Sequence, residues 1–139
     1  VFTVGYDGRS LDELVALLRD EGVEVVVDVR QNAISRKPGF SKRRLADGLT
    51  AGGIEYRHEP TLGNPKDNRE AFRRGEAGRE RYRARLLDEG RAAFDDVVEL
   101  ARRRPIALLC LERAVDGCHR GCIAAEAQRV DPAIEVVNL

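Results

Sequence analysis

The sequence predicts an α/β fold, a single compact domain with a mostly parallel sheet of about five strands and flanking helices. Three observations carry this. Short apolar or β-branched runs alternate with helical patterns along the whole chain. The run Val23 to Val29, VEVVVDV, is nearly continuous in β-branched residues, as in a strand buried on both faces. The opening residues read strand, helix, strand, a βαβ unit whose crossover is right-handed. Together they make the arrangement Rossmann-like.

Each element has a local reason. Val1 to Val4 is short and β-prone, and Gly5-Tyr6-Asp7-Gly8 ends it with turn residues. Ser10-Leu11-Asp12-Glu13 is a capping box. Leu11, Leu14, Val15, Leu17 and Leu18 then make one apolar helical face, which Gly22 closes. After the second strand, Arg30 to Phe40 is a long loop punctuated by Pro38-Gly39. Ser41 is placed to cap a second helix, Lys42 to Ala51, ended by Gly52-Gly53. Ile54 to His58 alternates as a third strand, and Glu59 to Lys66 is loop. Asp67 to Arg104 is helical and highly charged, divided by Gly75, Gly78 and Gly90 into two or three helices. Pro105 opens a fourth strand, Ile106 to Leu111. A helix from Cys118 to about Arg129 follows, and Ile134 to Val137 reads as a fifth strand.

Composition narrows the function classes. At 139 residues the chain is one domain, 1–139, with enough length for a real core. Apolar residues at 42% and charged residues at 35% argue against disorder. No apolar run approaches the roughly 20 residues of a membrane span, so no membrane partner is expected. Val1 to Val4 reads as a strand and not as a leader. Three scattered cysteines make no disulfide framework and point to a reducing, cytoplasmic setting. The net charge is zero, so there is no global pull toward nucleic acid.

The chemistry-bearing residues fall at strand ends. In open α/β sheets ligands sit outside the carboxyl ends of the strands. Cys118-His119-Arg120 stands where a helix begins after the fourth strand, and a helix N-terminus favours anions. There Cys118 is a candidate thiolate nucleophile, His119 an acid/base partner, and Arg120 a clamp for phosphate or carboxylate, with Glu112 on the same rim. The bland alternative makes Arg120 and Glu112 a structural ion pair and Cys118 a buried small residue. Asp28, ending the second strand, either orients an arginine or acts as a base beside Arg30, Arg36 and Lys37. Tyr6, Tyr56 and His58 follow the first strand or lie in the third, so parallel strands bring them to the same edge.

Counting excludes two familiar cysteine loops. The sixth residue after Cys110 is Asp116 and after Cys118 is Ala124, so there is no phosphatase loop; the fifth residues, Val115 and Ile123, deny a rhodanese-like loop. Cys118 and Cys122, with His119 and His58, have the residue types of a metal site, but without a CxxC or His-x₃-His pair no metal is expected. Cys122 and Cys110 read as packing residues. Arg36 to Arg44 holds five basic residues and no acid around Phe40, a pattern suited to a single nucleic-acid strand with one stacked base, or simply to a solvated face. Arg69 to Arg85 interleaves with Glu70, Glu76 and Glu80 as surface ion pairs.

Several stretches together resemble the domain-of-unknown-function family DUF488. They are Val4-Gly5-Tyr6, Ser10 to Leu14, Val27 to Arg30, Ser35 to Ser41, Gly53 to Tyr56, Leu62-Gly63, Leu108 to Glu112 and Cys118-His119-Arg120. Gln31-Asn32-Ala33 and Leu111 depart from that pattern. The resemblance implies a compact α/β fold with its motifs at one sheet edge and leaves the reaction open. The residues themselves lead to a polar crevice for a small anionic, phosphorylated or nucleotide-like ligand, needing no cofactor. The alternatives are a nucleic-acid-binding accessory module or a protein-interaction domain, and whether the chain is an enzyme stays open.

Overall fold

The computed structural model describes all 139 residues. Its five strands are β1 (Phe2–Gly5), β2 (Val25–Asp28), β3 (Glu55–His58), β4 (Ile106–Cys110) and β5 (Val137–Asn138). They form one all-parallel sheet in the order β3-β2-β4-β1-β5. The helices are α1 (Leu11–Asp20), α2 (Lys42–Ala51), α3 (Arg69–Arg74), α4 (Glu76–Leu86), α5 (Arg91–Arg103) and α6 (His119–Val130).

Both faces of the sheet are covered, which is why β2 and β4 are apolar at successive positions. Val26, Ala107 and Leu109 meet Leu14, Leu18, Leu45 and Leu49 of α1 and α2. Val25, Val27, Ile106 and Leu108 meet Phe72, Tyr82, Phe94, Val97 and Ile123 of the other helices. The chain leaves β1 toward one face and β4 toward the other. These two strands are neighbours, with Gly5 opposite Cys110, so their carboxyl ends splay open between them.

Most element boundaries follow the sequence reading. The Ser10–Glu13 capping box is present in both directions, and Gly22 takes a left-handed φ of 73° beyond α1. Four details differ. Ser41 precedes α2 but its hydroxyl does not cap it; Oγ binds the Ser35 backbone instead, tying the Arg30–Phe40 loop. Gly78 does not interrupt a helix. It lies inside α4, where a Cβ would meet the Ala71 and Phe72 backbone at 2.2 Å, so its missing side chain lets α3 and α4 touch. The fifth strand is Val137–Asn138, because Ile134 caps the core beneath α5 and α6 and only the residues after it reach β1. Leu111 lies beyond β4 and is exposed.

Candidate functional site

The strand ends carry two connected groups of side chains. The first is centred on Asp28, the last residue of β2 and wholly buried. Its carboxylate accepts from Arg30 N at 3.1 Å, Arg30 Nε at 2.9 Å, Arg30 Nη2 at 2.7 Å and the Tyr56 hydroxyl at 2.6 Å. Arg30 also donates from Nη1 to Tyr6 Oη at 3.1 Å and to the Phe40 carbonyl at 2.7 Å. His58 Nε2 donates to the Arg30 carbonyl at 2.8 Å. Burial alone would lower the Arg30 guanidinium, but the bonds and charge of Asp28 outweigh it and raise it. Burial, then the bond to Asp28, raises the Tyr56 phenol. Four donors thus surround the Asp28 carboxylate, two on each oxygen.

The second group is sulfur-centred. Cys118 is the N-cap residue of α6 and Cys110 ends β4. Their Sγ atoms and a ring nitrogen of His119 all lie within 4.8 Å of one another, and all three residues are buried. His119 Nε2 lies 2.8 Å from the Val29 carbonyl, which only accepts, so Nε2 carries a proton and Nδ1 faces Cys118 Sγ at 3.8 Å. The Tyr82 ring packs edge-on against His119 at 5.3 Å and holds it in place. A hydrogen bond from Cys110 holds the Cys118 thiol well below its ordinary range; burial opposes this, and His119 and Arg120 add to it. Cys110 is pushed up by the same bond and by burial, and Cys122 by burial first.

Arg120 lies almost wholly out of solvent, yet no carboxylate pairs with it. Its Nη1 and Nη2 donate to the Glu112 and Arg113 carbonyls, so it braces the loop between β4 and α6. Arg120 therefore meets the backbone of Glu112 and makes no ion pair with its carboxylate. A buried guanidinium without a carboxylate needs a counter-charge, and the Cys118 sulfur is near enough for Arg120 to favour its thiolate.

A crevice of about 170 Å³ opens over these groups. Of the residues singled out in the sequence, Tyr6, Arg30, Glu112, Cys118 and His119 line it. Asp28, Tyr56, His58 and Arg120 stand behind the lining and fix it. Lys37 reaches the Tyr6 carbonyl at 3.3 Å and lies over the Phe40 ring, while Arg36 is exposed and lies away from the crevice.

Phe40 is fully buried and stacks on Tyr6 with ring centroids 4.5 Å apart, so no base can stack on it. The sulfur cluster contains Cys110 where the sequence suggested Cys122 and His58 beside Cys118.

The structure adds Arg69, Arg73, Ile34 and Asn64 to the lining. Arg69 and Arg73 sit in a stretch read as surface ion pairs. That reading holds for Arg74, Arg81, Arg83 and Arg85, each beside a carboxylate, whereas Arg69 donates to the Asn64 carbonyl. Helical spacing cannot separate these cases, because α3 sets Arg74 beside Glu70 while Arg69 and Arg73 line the crevice at the sheet edge.

No helix is long and apolar enough to cross a membrane, and the three cysteines are free thiols. The family model described as domain of unknown function DUF488 matches residues 10–127. No curated protein and no solved structure matches the chain.

Proposed function

The chain belongs to the DUF488 family, whose description leaves its activity unknown, and we propose from the crevice that it binds a small anionic ligand over Cys118 and acts on it through that sulfur. One observation carries the reading: a thiol at a helix N-cap, beside His119, forms the floor of a crevice whose wall holds Arg30, Arg69 and Arg73 against the single carboxylate of Glu112. Guanidinium groups suit a phosphate or carboxylate, and a phosphorylated or nucleotide-like ligand satisfies this chemistry. In this reading Arg30, oriented by Asp28, presents its remaining N–H to the ligand. Arg69 and Arg73 close over it from α3. Cys118 is the nucleophile and His119, steered by the Val29 carbonyl, moves the proton.

Alkylation tests it. Iodoacetate carries a carboxylate and iodoacetamide does not, though iodoacetamide is the more reactive toward free thiols. Cys118 is expected to favour iodoacetate relative to an exposed thiol by about tenfold or more. Arg69→Ala with Arg73→Ala is expected to remove most of that preference, and phosphate to protect the thiol. A Cys118 that shows no anion preference, or that stays inert in the folded chain, sinks the reading. A nucleic-acid strand finds less support. The exposed basic run of α2 remains, but its aromatic partner is buried.

A further inference from the structure

The crevice holds a second thiol for which a single-nucleophile mechanism has no use. Cys110 lines the same space as Cys118, and its Sγ lies within 4.8 Å of the Cys118 sulfur. Cys122 belongs to neither the cluster nor the crevice. The mouth also has an apolar lip. Ile34, 81% exposed, and Leu111, 44% exposed, line it beside the arginines. An inorganic anion has no use for that lip, whereas an organic anion does.

We propose that Cys118 and Cys110 form a thiol-exchange pair that reduces a small anionic organic disulfide, Cys118 attacking and Cys110 resolving; this rests on the reading of Cys118 as the nucleophile of an anion crevice. The Cys118 thiolate attacks one sulfur of the substrate, the substrate S–S bond breaks, and one half leaves as a thiolate. His119 takes the Cys110 proton. The Cys110 thiolate then attacks the Cys118 sulfur, the mixed disulfide breaks, and the second half leaves. The substrate gains two electrons, and the pair ends as a Cys110–Cys118 disulfide, which a low-molecular-weight thiol reduces again. Closure brings the sulfurs to about 2.05 Å. Cys118 can swing because it lies outside the helix proper, at φ −124° and ψ 139°, behind an exposed Gly117.

The test uses the full chain carrying Cys122→Ser and the dicarboxylate disulfide dithiobis(nitrobenzoate), whose released thiolate is coloured. Each chain is expected to release about two thiolates, to retain no adduct, and to yield a peptide joining Cys110 to Cys118. With Cys110→Ser added, release falls to about one and the adduct stays on Cys118. Substoichiometric reagent on the parent chain is expected to release both of its halves, a readout independent of how the variant folds. Adducts that persist without an internal disulfide overturn the proposal, as do thiols that react only after a chelator strips a metal from Cys110, Cys118 and His119. In the first of these outcomes an iodoacetate preference at Cys118 still stands, so the pair fails and the anion crevice survives.

Discussion

Asp28 has no exposed surface, and four donors answer its carboxylate. Replacing it by asparagine leaves the buried Arg30 charge unbalanced, and the expected loss is about 3–5 kcal/mol in urea unfolding. Tyr56→Phe removes one donor and should cost about 1–3 kcal/mol. A loss from Asp28→Asn no larger than that of Tyr56→Phe would mean that the ion pair is not what holds this corner. Cys118 makes a second claim at the same scale. Its pKa is lowered, so the thiolate persists as pH falls below the ordinary thiol range of about 8.5. Its alkylation rate is expected to stay level into the acidic side of neutrality, where that of the unfolded chain in urea drops away; parallel profiles would contradict the lowered pKa. At this scale the sequence was only partly legible. Tyr6, Asp28 and Arg30 announce themselves because they end apolar runs. Cys110 does not, since an apolar run tells that a residue is buried and not what its sulfur touches. Nor does the sequence show that Arg120 reaches the Glu112 and Arg113 carbonyls.

Among the elements, the loop joining β4 to α6 depends on a residue far away in sequence. A Cβ on Gly5 would lie 1.8 Å from the Glu112 carbonyl oxygen. Gly5→Ala therefore has to push that loop, and with it the Arg120 brace, away from the sheet. It is expected to cost about 1–3 kcal/mol and to slow Cys118 alkylation, although Gly5 lies outside the crevice lining. An unchanged alkylation rate would show that the loop does not position the thiol. Gly78→Ala offers a contrast: it should loosen α3 from α4 and weaken the anion preference that Arg69 and Arg73 supply, leaving the Cys118 thiol reactive. Helix starts were readable where the cap is a local pattern, as at Ser10, and misread where the same residue type serves a loop, as at Ser41. β5 was displaced because two residues held by backbone pairing leave almost no periodic signal.

Over the whole molecule, the doubly covered sheet was legible because VEVVVDV and IALLC admit no solvent-facing side. Strand order was not, because hydrophobic pattern is blind to neighbours. The two cores share β2 and β4, so a cavity in one should be felt across the sheet. Leu108→Ala is expected to cost about 2–5 kcal/mol in a single transition seen alike by far-UV circular dichroism and by Tyr fluorescence. Separate transitions would mean that the two faces unfold independently. The position of β4 has a further consequence for a chain made from one end to the other. β4 lies between β1 and β2, yet it is among the last strands to be synthesised. Until Ile106–Cys110 emerges, β1 has neither of its neighbours and only β2 and β3 can pair. The nascent polypeptide therefore carries naked strand edges until residue 106 is made, the condition under which chaperones are recruited and truncated products aggregate. Cys110 ends that strand and Cys118 follows it, so the two sulfurs come together only once β4 has docked between its neighbours.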